Sequence, residues 1–152
     1  MAEGQAREAL PGAILFCCDH NAVRSPFAEG MMKKLFGQTV FVQSAGVRHD
    51  LAVDPFMVEV AAELDVDISR HQSKSFDEME SWGDDFGSYD VIVALSPAAQ
   101  RRALEYTRHS SVEVRYWAVL DPTGIGEQRA QKLDAYRQTR DQIAARIAQS
   151  FG

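Results

Sequence analysis

Cys18 and Arg24 are separated by five residues, and Ser25 follows directly. A cysteine thiolate is a strong nucleophile, a guanidinium offers a planar fork that matches two oxygens of a tetrahedral anion, and a neighbouring hydroxyl can donate to the sulfur. Together they could carry out a nucleophilic displacement on an oxyanion centre. The short interval has a physical reason. A tight loop between a strand end and a helix start turns successive backbone N–H groups inward, and these, with the positive helix end, make an anion cradle. The candidate anion-binding residues are therefore Asp19, His20, Asn21, Ala22, Val23, Arg24 and Ser25, with Cys18 at the floor. The spacing alone also fits a buried cysteine beside a surface arginine, so the surrounding elements must decide.

Those elements are the ones such a loop needs. Ala13 to Cys18 is a short apolar run with the character of a buried parallel strand. Ser25-Pro26 reads as an N-cap followed by proline at the first helical position. Glu29 lies near that first turn, and Ala28, Met31, Met32, Leu35 and Phe36 form an apolar stripe ending at Gly37. Thr39 to Gln43 reads as a second strand, with Ser44-Ala45-Gly46 as a turn after it. Asp54-Pro55 opens a helix whose face carries Phe56, Val60, Ala61 and Leu64, and residues 67–76 read as polar loop. Tyr89 to Leu95 is the strongest strand. Ser96-Pro97 starts a helix to about His109, Val112 to Trp117 alternates like a strand, and a long helix covers roughly Glu127 to Ser150 after Asp121-Pro122. Strands alternating with helices predict an α/β, three-layer doubly wound fold, a four-stranded parallel sheet with helices on both faces. Ligands of such sheets sit beyond the carboxyl ends of the strands, where 18–25 and 121–124 fall.

The bulk numbers narrow the function classes. A chain of 152 residues with 45% hydrophobic and 25% charged residues suits a single domain, here 13–152, preceded by a loose arm over 1–12. The net charge of -6 argues against nucleic-acid and anionic-membrane partners, and no apolar run is long enough to span a bilayer. Without signal-peptide features, a cytoplasmic location is expected. The two cysteines are adjacent and cannot close a stabilising loop, nor do they make a metal-ligand pattern. No metal or other cofactor is implied.

Cys18-Asp19-His20-Asn21-Ala22-Val23-Arg24-Ser25-Pro26 resembles the phosphate-binding loop of the low-molecular-weight protein tyrosine phosphatases, a superfamily shared with the thioredoxin-coupled arsenate reductases. The resemblance runs over nearly the whole chain from Ala13. Ser44-Ala45-Gly46, the histidine-x-serine of His71 and Ser73, the strand Tyr89 to Leu95, and Trp117 to Pro122 match family motifs in order. It implies hydrolysis of phosphate monoesters, protein phosphotyrosine foremost, through a cysteinyl-phosphate intermediate. Cys18 would be the nucleophile, Arg24 the phosphoryl clamp and Ser25 the donor to sulfur. Asp121 would be the general acid, with Asn21, Ser44 and His71 bracing the loop. The implied substrate is a phosphorylated protein or a small phosphomonoester.

Several positions depart from that pattern. His20 stands where the family commonly has glycine, and it could line the pocket mouth or point to solvent. Asp19 puts a carboxylate beside the cradle, which would lower anion affinity. Val23 replaces a second loop cysteine, and Cys17 reads as small buried filler. Thr123-Gly124 follow Asp121-Pro122 where aromatic residues often flank a phosphotyrosine ring. Tyr116, Trp117, Trp82 and Phe86 are not assigned to substrate. His49 and His109 carry no partner signal, and the acidic stretch Asp77, Glu78, Glu80, Asp84 and Asp85 reads as a solvated face rather than a metal site. Two competing functions remain open. One is arsenate reduction with an external small thiol, since no cysteine follows Cys18. The other is an inactive oxyanion-binding module.

Overall fold

The computed structural model describes residues 9–152, so the expected loose arm over 1–12 lies mostly outside the described residues. Four parallel strands form one sheet in the order β2-β1-β3-β4, with β1 Ala13–Cys18, β2 Phe41–Gly46, β3 Val91–Ala94 and β4 Glu113–Tyr116. The helices are α1 Arg24–Phe36, α2 Pro55–Ala62, α3 Phe76–Ser81, α4 Pro97–Tyr106 and α5 Arg129–Phe151. The expected four-stranded, three-layer α/β architecture is borne out.

The alternation of β1 side chains explains the layers. Ile14, Phe16 and Cys18 face a core shared with α1, α2 and α5 through Met32, Val60, Ile143 and Ile147. Leu15 and Cys17 face the opposite core, with Phe76, Met79, Ala99 and Ala103 of α3 and α4. Successive strand residues point to opposite faces. The adjacent cysteines are thereby held apart, and both are free thiols. Cys17 is fully buried with its sulfur 3.7 Å from the Val93 carbonyl, as the filler reading expects, and burial, with the neighbouring Cys18, pushes its thiol pKa up.

The chain leaves β1 through α1 to β2 on one side, then reaches β3 on the other side of β1. The strand order therefore reverses at the carboxyl end of β1, the point where open α/β sheets leave a crevice for ligands. Loop 18–25 starts there.

Local details correct several expectations. Ser44-Ala45-Gly46 is not a turn but the carboxyl end of β2, where Cys18 lies opposite Gly46. α1 begins at Arg24 with Val23 at its N-cap and no side-chain cap, because the Ser25 hydroxyl is engaged with sulfur instead. Leu35, placed on the buried stripe, is exposed. Within the region read as loop, Ser75 accepts from the Glu78 N–H while the Glu78 carboxylate accepts from the Ser75 N–H, a capping box that starts the unexpected helix α3. A short 3-10 turn over Phe86–Ser88 was likewise not expected. The cap-then-proline signals at Asp54-Pro55 and Ser96-Pro97 do open α2 and α4.

Gly46 shows how closely the sheet supports the loop. A Cβ there would stand 2.7 Å from the Asn21 nitrogen and 2.8 Å from the His20 carbonyl carbon, both backbone atoms. Neither can move without moving the cradle. Gly46→Ala is expected to lower stability by about 1–3 kcal/mol through overpacking, read by urea denaturation, and to weaken phosphate binding in the same protein.

Candidate active site

Loop 18–25 is stitched down by its carbonyls. The Cys18 carbonyl accepts from Val47 N–H at 3.0 Å, Asp19 from Arg48 N–H at 2.9 Å and Ala22 from Asp54 N–H at 2.9 Å. The Asn21 carbonyl accepts from the Ser73 hydroxyl at 2.7 Å and from His71 Nε2 at 3.2 Å. With these carbonyls turned outward, the loop N–H groups are left to converge on an anion. Asn21 makes the necessary reversal with φ of 54°, a left-handed conformation that asparagine tolerates better than most residues.

The side chain of Asn21 then sets the direction of a proton-donor chain. Its amide donates to Ser25 Oγ at 2.8 Å and Ser44 Oγ at 2.9 Å. Each hydroxyl, having accepted, has its proton to give. Ser44 gives it to the Glu29 carboxylate. Ser25 gives it to Cys18 Sγ at 2.9 Å, and the Ser25 N–H lies 3.4 Å from the same sulfur. The sulfur also sits at the positive end of α1. Both donors and the helix end are thus aimed at the sulfur.

Arg24 is buried, with only 8% of its side chain exposed, and its guanidinium is aimed by three groups. It donates from one terminal nitrogen to the Leu95 carbonyl at 3.1 Å and from the other to Asp19 Oδ2 at 3.3 Å. Asp121 Oδ2 stands 3.8 Å from that second nitrogen. Asp19 is itself held by the Ser96 hydroxyl at 2.7 Å, so α4 also anchors the loop. Asp121 is presented after β4, its Oδ1 accepting from the Thr123 N–H at 3.1 Å and the Thr123 hydroxyl at 2.7 Å. α5 pins this segment: Gln142 accepts from the Leu120 N–H and the Thr139 hydroxyl donates to its carbonyl. Partial burial raises the Asp121 carboxyl, but the Thr123 donors and the Arg24 charge outweigh it and hold the pKa below its ordinary 3.8.

Cys18, Arg24 and Asp121 thus line one cavity of about 230 Å³ together with His20, Leu51 and Pro55. His20 lines this mouth, and its Nδ1 pairs with Asp50 at 2.7 Å rather than pointing free to solvent. Asn21, Ser44 and His71 are joined in one network behind the loop. His71 Nε2 also reaches Asn21 Oδ1 at 3.0 Å, and burial, outweighing the attraction of Glu29, depresses the imidazole pKa. Among the described residues no Phe, Tyr or Trp lines the cavity; Trp117 is buried against Phe16 and Phe151.

Sequence reading missed some of the participants. Glu29 is a buried carboxylate of the network rather than a helix-end charge. It also pairs with Lys33 at 2.5 Å, and that i,i+4 spacing was its one visible signal. The backbone N–H of Lys74 donates to Asn21 Oδ1 at 3.0 Å, an interaction carrying no residue-type signal. His49 is not partnerless but pairs with Glu78 at 2.7 Å. Of the acidic stretch, Asp77 meets Arg102 and Tyr106, and among the described residues no cluster of His, Cys, Asp and Glu could hold a metal.

The family model described as low molecular weight phosphotyrosine protein phosphatase matches residues 13–151. The chain belongs to that family. Its relatives carry more than one activity. The arsenate reductase of Oceanobacillus iheyensis is 31% identical over 135 residues, covering 88% of this chain and 91% of that protein. A low molecular weight protein tyrosine phosphatase from T. tengcongensis shares 26% identity at a TM-score of 0.70, covering 90% of this chain and 95% of that one. The arginine phosphatase YwlE, solved as a mutant with a phosphorylated active-site serine, shares 26% identity at a TM-score of 0.71, covering 90% and 91%. No described helix of this family member is long and apolar enough to cross a membrane.

Two outcomes follow from the charges around Arg24. Asp19→Asn removes a carboxylate that competes with a bound oxyanion, so the affinity for inorganic phosphate, read by calorimetry, is expected to rise about fivefold, on the order of 1 kcal/mol. Asp121 is more acidic in the folded state, so its ionised form stabilises the fold above its ordinary 3.8, and that contribution disappears as pH falls through the lower folded value. Asp121→Asn is therefore expected to destabilise the unliganded protein to urea at neutral pH and to have no such effect in strong acid.

Proposed function

We propose that this protein hydrolyses phosphate monoesters by way of a cysteinyl-phosphate intermediate. The observation that carries the reading is the convergence on one cavity of a sulfur hydrogen-bonded at 2.9 Å to Ser25, a buried guanidinium, and a carboxylate 3.8 Å from that guanidinium. The phosphoryl group enters the ring of loop N–H groups and takes two oxygens onto Arg24, which replaces the weaker contact to Asp19. Cys18 thiolate attacks phosphorus in line with the departing oxygen. The P–O bond breaks as the S–P bond forms, and charge spreads over the three equatorial oxygens held by the loop and Arg24.

The leaving oxygen needs a proton, and Asp121 at the cavity mouth gives it. In the unliganded protein Asp121 is held ionised beside Arg24. A bound dianion neutralises that guanidinium and adds negative charge of its own, which raises the carboxyl and lets it bind the proton it must deliver. Once the alcohol or phenol has gone, Asp121 is a carboxylate again and accepts a proton from the water that attacks the phosphocysteine. Cys18 then leaves as a thiolate, its charge met by the Ser25 hydroxyl. Every group in the cycle is a side chain or backbone amide, and a reducing compartment such as the cytoplasm would keep Cys18 in the form it requires.

The substrate is a phosphorylated protein side chain or a small phosphomonoester. Leu51, Ala52 and Pro55 give the cavity an aliphatic wall, and Thr123 stands beside the acid, so ring stacking is not what selects the substrate here.

A second reading, arsenate reduction, draws on the curated relatives of that name. The same cradle accepts arsenate, but Cys17 faces the opposite core and no other cysteine is present to relay electrons. An external thiol would have to do so. Turnover of para-nitrophenyl phosphate separates the readings. Wild type is expected to be active, Cys18→Ser inactive, and Asp121→Asn slowed by about 10²–10⁴-fold. Full activity in Cys18→Ser would end the mechanism. Thiol consumption that requires arsenate, with no ester hydrolysis, would establish the reductase instead, and phosphate binding without either activity would leave a binding module.

A further inference from the structure

Behind the loop lies a groove of about 640 Å³ that shares no lining residue with the cavity over Cys18. Its walls come from α1, the segment 67–74, and Glu78 and Trp82 at the end of α3. The volume falls in the roughly 300–1,000 Å³ range of small-molecule sites.

Its charges are unevenly matched. Lys33 is engaged by Glu29, His49 by Glu78, and Asp67 accepts from both the N–H and the hydroxyl of Ser69. Two cations remain. The ammonium of half-buried Lys74 and the guanidinium of Arg70 make no hydrogen bond or ion pair among the described residues; Glu29 and Asp84 attract Lys74 and Asp67 attracts Arg70 without touching them, and burial, exceeding the pull of Glu29, lowers the Lys74 pKa. A partly desolvated ammonium with no hydrogen-bond acceptor is unfavourable, and an anion with oxygen acceptors would lower that cost. Trp82, 63% exposed, lines the same groove and brings a broad apolar ring to it.

The floor of the groove is also the bracing network. His71 and Lys74 hold Asn21 from this side, and Glu29 holds Ser44, which accepts from Asn21. Drawing Lys33 or Lys74 toward a ligand changes the charge facing Glu29. That change passes through Ser44 and Asn21 to the hydroxyl that donates to Cys18.

We propose that this groove is a second ligand site, for a small organic acid with a planar aromatic ring, and that filling it alters turnover at Cys18 through Asn21. The acid group would sit on Lys74 and Arg70 and the ring against Trp82. The binding half is independent of the phosphatase reading, and the turnover half rests on it.

The probe is 1-naphthoate, followed by tryptophan fluorescence and by calorimetry. The chain has two tryptophans and Trp117 is buried, so quenching reports on Trp82. Saturable quenching is expected, persisting with at most a few-fold change when inorganic phosphate fills the cradle. Lys74→Gln and Arg70→Gln should each weaken binding about tenfold, the loss of one charge-assisted contact. Arg70 is exposed, so its variant keeps the test valid if Lys74→Gln folds poorly. Simple competition with phosphate, unchanged affinity in both variants, or no saturable binding overturns the site. Naphthoate is further expected to change the rate of para-nitrophenyl phosphate hydrolysis, and binding without that change overturns the coupling. Should the protein not hydrolyse the ester at all, a naphthoate-dependent shift in phosphate affinity reads the same coupling, because linkage is reciprocal.

Discussion

Everything at this site depends on Asn21 being held in a left-handed conformation while its side chain bridges two serines. The backbone reversal at φ of 54° turns the loop so that its carbonyls face neighbours and its N–H groups face the cavity. On its own such a conformation costs about 1 kcal/mol or more. Here it is over-determined: Ser73, His71 and Lys74 hold the Asn21 carbonyl and amide oxygen, and the amide nitrogen holds Ser25 and Ser44. The loop is therefore preorganised before any anion arrives. That matters for catalysis, because dipoles already aimed at the reacting centre need no reorganisation as charge develops.

The electrostatic balance follows from the same geometry. The sulfur is faced by a helix end, a hydroxyl and an amide, while the strongest cation nearby, Arg24, is shared between Asp19, the Leu95 carbonyl and Asp121. A dianionic ligand must displace part of that sharing. The cost lowers affinity for phosphate, which would be a product of the proposed hydrolysis, and so would favour release. The carboxylates are not a flaw in an anion site; they set how tightly it holds. In the same way Glu29, buried among Lys33, Lys74 and His71, sets the charge behind the loop.

How much could be read in advance varied with the kind of interaction. The grouping of Cys18, Arg24 and Ser25 was legible because a thiol, a guanidinium and a hydroxyl fall at fixed places in a strand-loop-helix pattern, and Asp121 was picked out through the family resemblance and its place after the last strand. Asn21, Ser44 and His71 were legible through family resemblance and join one network in the fold. Gly46, Glu29 and the Lys74 N–H were not, since their roles come from where the sheet and α1 bring the backbone. Ser25 misled as a helix cap because a hydroxyl beside proline serves equally as a cap or as a donor to a nearby sulfur. The capping box at Ser75 was overlooked because the helix it starts is short and set in polar sequence.

The amino-acid sequence alone determined the alternation of strands and helices, the parallel sheet, and the thiol, guanidinium and carboxyl groups available at its carboxyl edge. Those follow from periodicity, caps and spacing, which are local properties. Only the tertiary structure decided that Cys17 and Cys18 look to opposite cores, that Gly46 must lack a side chain beneath Asn21, and that Glu29 and Lys74 meet behind the loop beside an exposed indole. Such facts depend on strand register and on which helix face lies against which loop, and long-range packing, not neighbouring residues, sets both.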